Sequence, residues 1–294
     1  MKIIKFGGSS IESFKNIQQV FRILEDKLQG DEMAVVFSAF GGVTEQLFSL
    51  AKMANEGNLG YREVLKALEE KHLALVEELL PSNQKIQVVD FVRQRCLELE
   101  DLYQGIYLIK EQSTRTLGYV GSFGERLSTF ILAKALECRG IPTCFVDARE
   151  IIRTDDHFGH ARVDEAQTTS LIQTYFAKHQ GIKVVTGFIA ATEKGETTTL
   201  GRSGSDYTAA LLAAALDADS LEIWTDVSGV LTCDPKMVYA AFTIPQLSYA
   251  EAMELSHFGA KVIFPATMLP AMKKKIPIQI KNTFEPHHPG TLIN

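Results

Sequence analysis

The chain has 294 residues, 46% of them hydrophobic, and 30 lysines and arginines set against 36 aspartates and glutamates give it a net charge of −6. These figures fit one large globular domain or two ordinary ones, exclude a disordered chain and disfavour a dedicated nucleic-acid binder, which would carry a basic excess. No apolar run reaches the ~18 residues of a membrane span, the opening MKIIKFGGSS lacks a signal-peptide core, and the four cysteines are scattered without zinc spacing, so the expectation is a cytoplasmic protein without metal ligands of its own.

From the first residue, strands and helices alternate. KIIKF at 2–6 predicts a short buried strand cut by Gly7-Gly8. Phe14, Ile17, Phe21, Leu24 and Leu28 recur at helical spacing, with Gly30 as the stop. MAVVFS at 33–38 predicts a second strand ended by Gly41-Gly42, and Thr44 is placed as the cap of the next helix. Between about 61 and 110 the pattern is purely helical, with one break at Pro81-Ser82-Asn83. GERLSTFILAKALECRG predicts a helix ending at Gly140, PTCFVDA a strand, residues 164–178 a helix, and IKVVTGFIAA one continuous strand. Past residue 190 the texture changes. ATEKGETTTLG predicts a hairpin with Lys194-Gly195 at its tip; an alanine-rich helix follows GRSGSD, then the strand LEIWTDV, a turn-rich SGVLTCDPK, the helical SYAEAMELSHFGAKV, a stretch interrupted by Pro265 and Pro270, and a last strand, PIQIKNT. This order predicts a mostly parallel sheet covered by helices on both faces, with two lobes of one fold meeting near 190.

Ligands of open α/β sheets bind beyond the carboxyl ends of the strands. Here KFGGSS, SAFGGVT, TGFIAA, LGRSGSD and TDVSG supply small or glycine-rich loops at such ends, a crevice of backbone N–H groups suited to phosphate. G-x-x-x-x-G-K-S/T, G-x-G-x-x-G and the protein-kinase motifs are absent, so neither a Walker NTPase nor a conventional dinucleotide binder nor a protein kinase is expected. Lys5, an ammonium closing an apolar strand beside the glycine pair, points to a phosphate role over that of an edge-strand surface lysine. Arg202 and Asp206 open a helix, where a bidentate guanidinium suits a carboxylate; a solvated arginine with Ser205 or Asp206 as a plain helix cap is the other reading, and spacing leaves both open. His157 and His160 beside Asp155-Asp156 fit a loop better than a metal site.

KFGGSS at 5–10, VVFSAFGGVT at 35–44, GERLS at 124–128, LGRSGSDYTAA at 200–210, WTDVSGVLTCDP at 224–235 and FGAKVIFPAT at 258–267 occur in one order along nearly the whole chain. In this the chain resembles the aspartokinases of the amino-acid kinase family, most of all the kinase portion of bifunctional aspartokinase–homoserine dehydrogenases. The resemblance implies an α/β/α three-layer sandwich and transfer of the ATP γ-phosphoryl group to the β-carboxylate of L-aspartate, the first step towards lysine, threonine, methionine and isoleucine. It also implies Mg²⁺ brought with ATP, a homodimer, and no nucleic-acid or membrane partner.

Carried over by position, Lys5 and Asp206 are catalytic, and Ser38, Thr44, Glu125 and Arg202 hold aspartate. Lys5, Gly7, Gly8, Ser9, Thr225, Asp226, Leu231, Lys236, Lys261 and Val262 hold the nucleotide. The sequence departs from the family at Leu231, where many members have tyrosine, and at Lys236, which keeps the charge of the usual arginine without its fork. Phe264 and Ser203 replace a usual histidine and a frequent glycine. The expected organisation is one catalytic domain over 1–294, with the aspartate side in about 1–190 and the nucleotide side in about 191–294, lacking the ACT regulatory and dehydrogenase domains and therefore feedback by lysine or threonine. Competing readings are a kinase of the same fold acting on glutamate, acetylglutamate, uridylate or carbamate, a non-catalytic module that binds nucleotide or amino acid, and a nicotinamide oxidoreductase, which the missing fingerprint disfavours.

Overall fold

The computed structural model describes residues 1–28, 32–233, 237–257 and 264–294. In chain order the first half runs β1 (Lys2–Phe6), α1 (Phe14–Lys27), β2 (Met33–Phe37), α2 (Val43–Asn55), α3 (Tyr61–Leu79), α4 (Lys85–Ile109), α5 (Thr114–Cys138), β3 (Thr143–Val146), β4 (Arg153–Thr154), α6 (Glu165–Lys178) and β5 (Ile182–Thr186). The second half runs β6 (Ile189–Thr192), β7 (Thr197–Thr199), α7 (Gly204–Ala215), β8 (Ser220–Thr225), β9 (Gln246–Leu247), α8 (Tyr249–His257), α9 (Pro265–Lys273), β10 (Ile278–Asn282) and β11 (Thr291–Ile293).

Eight strands form one sheet in the order β3-β5-β2-β1-β8-β10-β11-β9, parallel throughout except for the β10–β11 pair. A small sheet, β4-β6-β7, stands beside it. Successive side chains of β1 point to opposite faces, so Ile4 and Phe6 join one core with Phe21, Leu47 and Leu132, while Ile3 joins the other with Ile172, Leu212 and Met268. Helices α1 to α5 cover the first face and α6 to α9 the second, which is the α/β/α sandwich expected. After β1 the chain turns to β2 on one side, and β8 later returns to its other side. The carboxyl end of β1 is thus a switch point in strand order, where crossovers diverge and a crevice opens. Among the described residues no helix is long and apolar enough to cross a membrane.

Several local expectations are corrected. IKVVTGFIAA is two strands in two sheets: the chain breaks at Gly187-Phe188, and Phe188 takes a left-handed φ of 68°. Helix α5 begins at Thr114, ten residues before GERLS, because Gly118, Gly121 and Gly124 lie within it rather than ending it. Thr44 is not a cap; Gly42 precedes Val43 at φ 76°, and Thr44 sits in the first turn. Pro265 does not interrupt a helix but starts α9, where its fixed φ and missing N–H cost little, and Pro270 lies inside α9. PIQIKNT is followed by a further strand, β11, paired antiparallel to β10. Gly30 and residues 258–262 of SYAEAMELSHFGAKV lie outside the described residues.

Candidate active site

At the switch point lies a cleft of about 790 Å³ lined by Lys5, Gly8, Ser9, Ser38, Thr44, Glu125, Arg202 and Asp206 among others. Eight of the expected site residues, drawn from four distant segments, therefore face one space. Lys5 projects from β1 on the face that α7 covers, and its Nζ lies 2.6 Å from Asp206 Oδ1, with the two side chains 10% and 14% exposed. Asp206 sits in the first turn of α7 and spends its carboxylate on Lys5 rather than on a cap; the cap position is Ser203, at φ 54° and without a capping side-chain bond. Asp206 is therefore not a plain helix cap. Arg202 is exposed, 6.0 Å from the Phe264 ring, and no carboxylate pairs with it among the described residues.

Two close approaches shape the floor. A Cβ on Gly8 would stand 3.0 Å from the Ala39 carbonyl oxygen, so the loops after β1 and β2 meet backbone to backbone. A Cβ on Gly124 would stand 2.8 Å from that of Ala39, so only glycine lets α5 press against the Ser38–Gly42 turn. The approach brings Glu125, 3% exposed, to accept a hydrogen bond from the Ala39 N–H at 3.3 Å through Oε1. Ser128, one turn later, donates to the Ser38 carbonyl at 2.7 Å. Glu125 Oε2 is buried without a partner among the described residues. Burial pushes the Glu125 carboxyl up to about 8, with Glu45 adding to the rise and backbone donors and Lys5 opposing it.

The remaining expected residues lie apart from this lining. Gly7 is adjacent: its N–H donates to the Trp224 carbonyl, and a Cβ on it would stand 3.6 Å from Lys5 Nζ. Thr225 and Asp226 follow at the carboxyl end of β8, hydrogen bonded to each other at 3.2 Å, and Leu231 bridges to Thr243 in the loop beyond. These three are not among the residues that line the cleft. Lys236, Lys261 and Val262 lie outside the described residues. Sequence reasoning missed Glu12, Glu45, Phe48 and Phe188, which also line the cleft. A signal existed for the first two, since each closely follows one of the glycine pairs 7–8 and 41–42. Ser10 was missed too; its hydroxyl meets that of Thr283 at 2.7 Å and ties the glycine loop to the end of β10.

A model of the Amino acid kinase family matches residues 1–282. The chain belongs to that family. Within the family it is 37% identical to lysine-sensitive aspartokinase 3 of Escherichia coli over 99% of this chain and 63% of that one. It is 36% identical to the bifunctional aspartokinase/homoserine dehydrogenase of Buchnera aphidicola over 100% of this chain and 36% of that one. The crystal structure of E. coli aspartokinase III in complex with aspartate and ADP superposes with a TM-score of 0.91 at 36% identity, over 100% of this chain and 64% of that chain. The chain thus spans less than two thirds of the length of these relatives.

Proposed function

We propose that this chain is the catalytic domain of an aspartate kinase, converting ATP and L-aspartate to ADP and 4-phospho-L-aspartate. The observation that carries this reading is Glu125: a buried carboxyl with one unpartnered oxygen, facing a cleft that also presents an unpaired guanidinium and a buried ammonium. An α-amino acid answers that pattern, its ammonium supplying the cation Glu125 lacks and its α-carboxylate the partner Arg202 lacks. The aspartokinase names of the relatives and the aspartate and ADP in the E. coli structure support the same assignment.

In this reading Ser38 and Thr44 offer hydroxyls to aspartate, and the side-chain carboxylate of aspartate is turned towards the glycine loops. With an ordinary pKa near ~4 that carboxylate arrives ionised, so its attack on the γ-phosphorus needs no general base. The protein's task is to align the two substrates and to neutralise charge on the phosphoryl oxygens as the bond to the β–γ bridging oxygen breaks. This task is assigned to Lys5 Nζ, steered by Asp206, together with the backbone N–H groups at Gly8 and Ser9, while Gly7, whose own N–H goes to the Trp224 carbonyl, lets the loop run close to Lys5. Thr225, Asp226, Leu231, Lys236, Lys261 and Val262 are assigned to the nucleotide.

Among the described residues no three His, Cys, Asp or Glu side chains converge as a metal site. Single carboxylates such as Asp206 fit a Mg²⁺ that travels on the ATP phosphates, where it offsets their charge. The proposed organisation is one catalytic domain in a cytoplasmic homodimer, with residues to about 190 chiefly on the amino-acid side and the rest chiefly on the nucleotide side.

The test is ADP release with Mg-ATP and L-aspartate, with the acyl phosphate trapped by hydroxylamine and L-glutamate as control. Aspartate-dependent hydroxamate supports the proposal. Glutamate-dependent product moves the chain to another kinase of the fold, and binding of both ligands without turnover makes it a binding module.

A further inference from the structure

The opposite edge of the sheet, where β1, β2 and β5 begin, holds a second cavity of about 570 Å³, lined by Leu28, Met33, Ile141, Pro142, Phe176 and Lys183 among others. Its volume falls within the ~300–1,000 Å³ usual for small-molecule sites. Lys183 is its odd member. It stands inside β5, between Ala34 of β2 and Cys144 of β3, and is only 8% exposed. Its ammonium lies 5.4 Å from the Phe176 ring centroid, and no carboxylate pairs with it among the described residues. Two other lysines set against this sheet are answered by carboxylates: Lys5 by Asp206 at 2.6 Å and Lys27 by Glu222 at 2.7 Å. A buried ammonium without a counter-ion is costly, and a ring face offsets only part of that cost.

We propose that this cavity is a second ligand site, separate from the catalytic cleft, and that it takes a small monocarboxylate with an apolar body. The carboxylate supplies the counter-ion Lys183 lacks, and the body rests among Leu28, Met33, Ile141 and Phe176. Glu32, exposed on the same rim, sets its charge against phosphates and other polyanions. Because β1 and β2 run from this cavity to the cleft, the occupant does not compete with either substrate for space.

The test is a backbone-amide NMR titration of the 294-residue chain with phenylacetate, and with phenethylamine as the matching body without a carboxylate. Expected are phenylacetate shifts confined to the amides of residues 28, 32, 33, 140, 141, 176 and 179–183, none of comparable size with phenethylamine, and binding at least tenfold weaker in Lys183→Met. Lys183→Met is also expected to melt higher than wild type, since it removes an unpaired buried charge. Shifts that are absent, equal for the two probes, unchanged in Lys183→Met or centred on Lys5 and Arg202 overturn the proposal. The two-probe comparison on wild type decides even if the variant does not fold. No turnover is measured, so the result stands apart from the kinase assignment.

Discussion

Two buried titratable side chains hold the Ser38–Gly42 turn from opposite sides, and burial pushes them in opposite directions. Glu125 of α5 meets the Ala39 N–H and is raised to about 8. His72 of α3, fully buried against the Phe40 ring at 5.4 Å, is lowered to about 4, chiefly by burial and further by Lys71. In both cases desolvation penalises the charged form. The difference lies in what else each group touches. His72 donates through Nδ1 to the Leu68 carbonyl at 2.7 Å and lies outside the cleft lining, so its neutral form completes a structural contact. Glu125 lines the cleft with one oxygen unanswered, so its charged form awaits a cation. A displaced pKa marks a brace in one place and a ligand contact in the other; access to the cleft separates them.

The largest expected effect falls on the third buried charge, Lys5, which already has its counter-ion. Lys5→Ala is expected to lower kcat by about 10²–10³ or more, the loss of about 3–4 kcal/mol that follows removal of one well-placed donor. ADP release at saturating substrates measures it, and an unchanged kcat removes Lys5 from the mechanism.

Glu125→Gln comes next. Loss of a charge-assisted contact of about 1.5–3 kcal/mol raises KM for aspartate by roughly 10- to 150-fold, more than it lowers kcat. Folded Glu125 keeps its proton up to about 8, whereas the unfolded chain loses it near 4.5, so the stability this group contributes is full below 4.5 and is lost as pH rises through 8. Urea melts from pH 5 to 8.5 are expected to show that fall in wild type and not in Glu125→Gln. Calorimetry in two buffers of different ionisation enthalpy, at pH 7, is expected to show close to one proton released on aspartate binding, and none in the variant.

His72→Leu sharpens the contrast from the other side. The folded pKa is lowered, so His72 contributes stability that is full above about 6.5 and is lost as pH falls through about 4. The variant is expected to flatten the acid limb of the stability profile while leaving KM for aspartate unmoved; a large KM change would make His72 more than a brace. The smallest effect is at Ser203, held at φ 54° at the start of α7. Ser203→Gly relieves that left-handed strain and is expected to add about 0.5–1 kcal/mol of stability, read as a small rise in Tm.

The legible parts of the fold are those whose pattern is local. β1, β2 and β8 are apolar runs bounded by small residues, and α3, α4 and α6 carry a sustained apolar stripe. The misreadings share a cause. Gly121 and Gly124 are the price of close packing, admitting Phe48 and Ala39 to the surface of α5. IKVVTGFIAA looks like one strand because nothing local shows that Phe188 turns left-handed, fixed by Thr208 Oγ1 on its N–H and Leu200 on its carbonyl. Pro270 reads as an interruption, yet α9 continues through it where the helix packs on α7.

The sequence by itself determined the layered fold, the glycine loops and eight of the residues that line the cleft, since periodicity, small residues at strand ends and ordered motifs are written in neighbouring positions. Tertiary structure alone decided that Asp206 serves Lys5 rather than its own helix and that, among the described residues, one oxygen of Glu125 is stranded and Lys183 is buried without a counter-ion. Each depends on which distant groups share a dry space, and burial and pairing are properties of that space rather than of the residue.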